Sequence, residues 1–283
     1  MQKEGELQDN ELVGFEALGT TPLPASDEQG YVKNENAQIW YATFGSGPAV
    51  VLLHGGLGNS KNWGYQVAML VGSGYQVITI DSRGHGRSTR DARPYSYELM
   101  GSDVLAVMDS LNIEQAVLVG WSDGACTALI IADRHPSRVS GVVFFACNMD
   151  PSGTKPFKHS PAIDRCLSRH RKDYSELSTT PDEFDSLLEA LGPMQRMQPN
   201  YSTSDLARIP VPVVILHAEF DEFIKQEHAE YLTKNIANSR LQILEGVSHF
   251  APVQRPDQFN AAILVFLQQV DRGPNAEAKS DSR

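Results

Sequence analysis

The chain has 283 residues, a formal net charge of −11 and three cysteines. That length can bury a large core and fits a single domain, while the acidic balance argues against nucleic acid and anionic membranes as partners. Cys126, Cys147 and Cys166 are too few and too scattered for a disulfide framework or a zinc site, and with no apolar leader and no run of about 18 apolar residues the reading is a cytoplasmic chain.

Residues 1–29 are polar and acidic and read as a flexible arm. Gly30 to Phe44 offers two short strands, with a hairpin around Asn34-Glu35-Asn36. Apolar strands follow at 49–53, 76–80, 115–119, 140–146, 211–216 and 240–244, and helices near 61–72, 96–111, 123–134, 225–236 and 256–270. Alternating β and α with near-continuous Val/Ile/Leu strands predicts an α/β fold, with a mostly parallel sheet covered on both faces. Residues 148–209 break the alternation. They lack a strand pattern and are punctuated by Pro151, Pro156, Pro161, Pro181 and Pro193, so they read as a helical insertion between core segments 30–147 and 210–272. Residues 273–283 read as a polar tail.

Three loops at strand ends carry the chemistry. His54-Gly55-Gly56-Leu57-Gly58 follows the first central strand, and its glycines would let backbone approach a ligand closely. A phosphate cradle is disfavoured, because no Lys-Ser/Thr follows at the required spacing. Gly120-Trp121-Ser122-Asp123-Gly124 follows the run Ala116-Val117-Leu118-Val119 and precedes a small-residue helix. A serine there sits on a turn so tight that a Cβ two residues before or after it would collide with neighbouring elements. A serine hydroxyl needs a histidine base, and the histidine needs a carboxylate to orient it. Asp221 lies just past the strand at 211–216, with Glu219 and Glu222 as rivals read as solvated loop acids. His249 lies in the loop after the last strand. An oxyanion in acyl transfer needs preorganised N–H donors; the amides of Asp123 and of Gly56, with Leu57 next, are the candidates.

His54-Gly55-Gly56, the segment Asp81 to Ser88, Gly120 to Gly124, Asp221 and His249 stand in the order and spacing of a family. Over residues 30–270 the chain resembles the serine-dependent α/β-hydrolases, particularly the valacyclovir-hydrolase-like and other small-ester hydrolases. The resemblance implies an α/β-hydrolase fold in which 148–209 is a helical cap over the pocket, a Ser122–Asp221–His249 triad, and no metal or organic cofactor. It also implies that the Asp81–Ser88 segment braces the loop behind the sheet, and that Asp123 either meets a substrate ammonium group or merely supplies its amide. Trp121, Met194 and Met197 are candidate substrate-binding residues, the methionines because a thioether adapts to varied ligands. Arg165, Arg169, His170, Arg171 and Lys172 read as a solvated helix face.

The expected activity is hydrolysis of a small carboxylic ester, or a related lactone, thioester or amide, through an acyl-enzyme. A triad-based lyase, a C–C bond hydrolase and a ligand-binding receptor on the same scaffold stay open. Epoxide hydrolase and haloalkane dehalogenase chemistry is disfavoured, because each needs Asp at position 122. The residues leave the substrate and the oligomeric state undefined.

Overall fold

The computed structural model describes residues 10–273. Residues 1–9 of the expected arm, and all of the expected tail except Gly273, lie outside the described residues.

Eight strands form one sheet in the order β1-β2-β4-β3-β5-β6-β7-β8. The hairpin comes first: Glu28–Asn34 (β1) pairs antiparallel with Ala37–Phe44 (β2), and Asn34 faces Ala37 across a turn in which Glu35 takes φ 53°. β2 also lies antiparallel to Gln76–Ile80 (β4). Every later pairing is parallel, through Ala49–Leu53 (β3), Ala116–Trp121 (β5), Val139–Phe145 (β6), Val213–Phe220 (β7) and Ser239–Ser248 (β8).

The parallel strands are apolar along their whole length because both faces are covered. Successive side chains alternate between two cores. Leu53, Leu118, Phe144 and Ile215 point into one, which Tyr97–Ser110 (α3), Asp123–Arg134 (α4) and Gln226–Asn235 (α8) close. Leu52, Val119, Phe145 and Val214 point into the other, closed by Gly64–Gly72 (α2) and Pro256–Arg272 (α10).

This order determines where a ligand can sit. From β3 the chain crosses to β4 on one side, then returns to place β5 on the other. The carboxyl ends of β3 and β5 therefore diverge, and a crevice opens where the winding reverses. His54 to Gly58 and Ser122 occupy those two ends.

Between β6 and β7 lie Pro161–Leu177 (α5), Phe184–Met197 (α6) and the short Thr203–Ala207 (α7). Ser160 caps α5 by accepting from Ile163 N, and Pro161 takes the first helical position, where no amide partner is lost.

The arm is a correction. Residues 10–18 form helix α1 (Asn10–Leu18), which packs on α5 and on Ala251–Gln254 (α9), with Leu12 and Phe15 buried. Two apolar side chains one turn apart suffice to dock a short helix when a surface waits for them. A nine-residue helix gains little from its own propensity, so tertiary packing supplies the stability.

Candidate active site

Ser122 sits between the last residue of β5 and the first of α4, at φ 53° and ψ −122°. This backbone conformation is costly for a residue with a Cβ and persists only where its surroundings enforce it. The surroundings here are Phe145 O, which accepts from Ser122 N at 2.9 Å, and Ala125 N, which donates to Ser122 O at 2.7 Å. The flanking glycines are required by contact. A Cβ at Gly120 would lie 2.4 Å from Ala125 Cα, and one at Gly124 would lie 2.1 Å from Leu53 O. Helix and strand thus approach the turn closely from both sides. Asp123 is the first residue of α4, so its amide is one of the helix-terminal donors with no intrahelical acceptor.

Asp221 follows β7 and is buried. Its Oδ1 accepts from Phe223 N and Ile224 N, both at 2.8 Å, which locks the carboxylate in a turn. His249 follows β8, and its Nδ1 lies 3.2 and 3.1 Å from the two Asp221 oxygens. Burial raises the Asp221 pKa, but the imidazole and the two amides outweigh it and hold the carboxyl below its ordinary value. Burial also lowers the His249 pKa, and the Asp221 charge and hydrogen bond overcome that to raise it. The Trp121 indole donates to His249 O at 2.9 Å and ties the serine and histidine loops together. Among the described residues, Ser122 Oγ and His249 Nε2 are not hydrogen-bonded to each other. Contacts of this kind commonly tighten only when substrate binds.

The glycine loop lies beside the serine. A Cβ at Gly55 would sit 3.2 Å from Ser122 Cβ. Gly58 N donates to Gly55 O at 3.1 Å, closing a turn in which Leu57 takes φ 65°. Gly56 faces the Asp123 carboxylate. That carboxylate is buried and accepts two neutral donors, the Tyr97 hydroxyl and the Gln195 amide, each at 2.8 Å.

Three of the expected substrate contacts lie elsewhere. Trp121 is buried in the core, edge-on to Trp63 and Phe250, because its indole is needed behind the histidine loop. Met194 is buried with Leu187 and Leu191 in the core that also holds the α3 and α4 face of the sheet. Met197 is 69% exposed and lines a surface cleft with Ile130 and Arg134. Ile130 lies eight residues along α4 from Ser122, about 12 Å by the helical rise. The rivals of Asp221 are not idle acids. Glu219 Oε2 accepts from Gly246 N at 2.8 Å and Glu222 Oε2 from His249 N at 3.0 Å, so both brace the histidine loop.

Sequence reasoning missed several residues of the site. Phe223 lies edge-on to the His249 ring, with centroids 4.7 Å apart, and Lys155 Nζ donates to Asp221 O at 2.6 Å. Tyr97 and Gln195 grip Asp123 from α3 and α6. None carries a local motif; only the aromatic immediately beyond an acidic turn could have singled out Phe223.

The Asp81–Ser88 segment lies behind the sheet ends. Asp81 accepts from Ser60 N, Arg87 N and Arg87 Nη1 at 2.7 to 3.0 Å, and Arg83 grips Asp103 with two buried hydrogen bonds of 2.9 and 2.6 Å. Removing one partner of such a buried pair costs about 3–5 kcal/mol, because the other charge is stranded. Among the described residues no group of three or more His, Cys, Asp or Glu could hold a metal ion. Among them, too, no helix is long and apolar enough to cross a membrane.

Residues 48–165 match the profile of a family described as the alpha/beta hydrolase fold. Over 270 residues, 84% of this chain, it is 28% identical to a putative non-heme chloroperoxidase of Synechocystis sp., covering 98% of that protein. Over 266 residues it is 27% identical to the serine hydrolase BPHL of Homo sapiens, covering 89% of each. The solved structure of Est816, described as an N-acyl homoserine lactone degrading enzyme, superposes with a TM-score of 0.73 at 25% identity, over 84% of this chain and 100% of that one. Together with a sheet order that opens its crevice at the serine, these similarities mean that the chain has the α/β-hydrolase fold and is a hydrolase enzyme.

Proposed function

We propose that the chain cleaves a small carboxylic ester or lactone through a covalent acyl-enzyme formed on Ser122. The observation that carries this reading is the strained backbone of Ser122 at the free amino end of α4, together with an imidazole and a carboxylate paired across the loops after β8 and β7. In this reaction His249 takes the Ser122 proton as the oxygen attacks the carbonyl carbon. Asp221 holds the tautomer with the proton on Nδ1 and stabilises the imidazolium. The amides of Asp123 and Gly56, or Leu57, receive the developing oxyanion. His249 then protonates the departing alkoxide. Water, deprotonated by the same base, attacks the acyl carbon and releases the acid. The Est816 likeness supports a lactone among the esters.

The test is labelling by a fluorophosphonate followed by peptide mass spectrometry. Modification of Ser122, lost in Ser122→Ala, supports the reading; labelling elsewhere, or undiminished turnover of ester in the variant, overturns it.

A second reading concerns substrate charge. The Asp123 carboxylate is held by two neutral donors, and among the described residues no cation lies within ion-pair distance of it. An ester bearing an ammonium group would supply the missing charge. Asp123→Asn would then lose activity on amino-acid esters while retaining it on neutral ones, and equal losses on both would retire the idea.

A further inference from the structure

A cavity of about 300 Å³ lies on the α1 side of the cap, away from Ser122. Phe15 and Leu23 form its apolar wall, and Lys61, Asn62, Arg87 and Arg169 its polar wall. One carboxylate, Asp173, also lines it. Three cations against one anion is unusual in a chain whose net charge is −11.

Each cation has one carboxylate partner, and Arg87 Nη1 also donates to Ser60 Oγ at 3.3 Å. Arg169 Nη2 donates to Asp173 at 2.6 Å. Arg87 Nη1 donates to Asp81 at 3.0 Å while its guanidinium lies 4.1 Å over the Trp40 ring. Lys61 Nζ sits 3.5 Å from Glu176 at the exposed rim. Among the described residues, two further polar atoms are buried without a partner: Arg169 Nε and Asn62 Nδ2. Arg169 is 8% exposed and Asn62 is 1% exposed. Buried donors are rarely left unmet, and both of these are donors only. With three cationic side chains and one carboxylate in its wall, the pocket is lined by more positive than negative charge.

We propose that this cavity is an accessory binding site for an organic carboxylate with an apolar body. The Arg169 fork suits a planar carboxylate, the Asn62 amide and the Lys61 ammonium supply further donors, and Phe15 and Leu23 cover the hydrocarbon. A bound anion here would join three parts of the molecule: α1, the loop after β3, and cap helix α5. The site is independent of the catalytic reading, because its occupancy can be read without turnover.

Benzoate is the probe, titrated into the full chain carrying Leu18→Trp as a local fluorescence reporter. Leu18 lines the cavity and is 82% exposed, so the substitution is tolerated. A saturable change is expected, weakened at least about tenfold by Arg169→Gln, since a charge-assisted bond is lost. Arg169→Gln also strands the Asp173 carboxylate and lowers stability. Lys61→Gln, at the exposed rim, is therefore the second variant and weakens binding several-fold with the fold intact. The absence of a saturable change, or unaltered affinity in Lys61→Gln, would overturn the proposal. Tighter binding of inorganic phosphate than of benzoate would overturn the carboxylate assignment.

Discussion

Gln195 Nε2 donates to Asp123 Oδ2 at 2.8 Å, and this bond ties cap helix α6 to the residue that follows the nucleophile candidate. The bond passes over Gly56. A Cβ there would lie 2.6 Å from the Asp123 oxygen and 2.7 Å from the Gln195 nitrogen. The glycine in the loop after β3 is thus required by its neighbours.

Gly56→Ala consequently pushes Asp123 and Gln195 apart and shifts the loop. A displacement of about 1 Å at reacting groups costs about 100-fold, so kcat/KM for an ester should fall about 100-fold. Circular dichroism should show the fold retained. Activity within twofold of the parent would separate Gly56 from the reaction.

Asp221→Asn keeps an acceptor for Phe223 N and Ile224 N but removes the charge facing His249. The wrong imidazole tautomer then dominates, and kcat should drop by about 10⁴, as in the template triad. A drop no larger than that of Glu222→Gln, whose partner is only the His249 backbone amide, would move the acid role away from Asp221.

The pH profile has a defined direction. A histidine base works only when neutral, and the His249 pKa is raised above 6.5 by Asp221. The acid limb of kcat/KM should therefore have its midpoint above 6.5. Asp221 is held below 3.8 and adds no second limb in the working range. A midpoint below 6.5 would contradict the pairing.

Stability also falls as pH drops, through histidines shifted the other way. His85 and His170 are buried neutral, each with its pKa pushed down by desolvation from 6.5 to about 4. The unfolded chain takes up these protons first, so folding stability falls as pH drops through 6.5 and goes on falling to about 4. At pH 5 each histidine should cost about 2 kcal/mol relative to pH 7, by the energy of one pKa unit. His170 packs edge-on to Phe15 and its Nε2 has no hydrogen-bond partner, so Phe is a tolerable replacement. Urea midpoints at pH 7 and pH 5 should lie closer together in His170→Phe than in the parent; equal slopes would count against the assignment.

Phe15→Ala removes the buried side chain that anchors α1 to the cap. Loss of a buried phenylalanine costs about 3 kcal/mol or more. Hydrogen exchange at α1 should accelerate in this variant more than exchange in the parallel strands. Unchanged protection of α1 would show that the helix is held by other contacts.

The fold was legible because its signals are local. Strands 49–53 and 76–80 are unbroken apolar runs bounded by turns, and they match β3 and β4 residue for residue. The tight serine turn was legible for the same reason: Gly120 and Gly124 must lack a Cβ wherever a strand enters a helix that sharply. The order of serine, acid and histidine along the chain pointed to Asp221 and His249 after two strands, and these two side chains meet.

What the sequence alone determined was the set of elements and the residues at their carboxyl ends, since hydrophobic period and glycine spacing are properties of short stretches. Only the tertiary structure decided which faces are covered. α1 docks on α5 and turns Arg169 and His170, read as part of a solvated face, into buried groups. The tertiary structure also brings Cys126 beside Cys147 and Gln195 onto Asp123. It sends Met197 to solvent while burying Met194 three residues earlier. The reason is physical: a side chain's burial and partners depend on what another part of the chain lays against it, and that is a long-range contact no local pattern encodes.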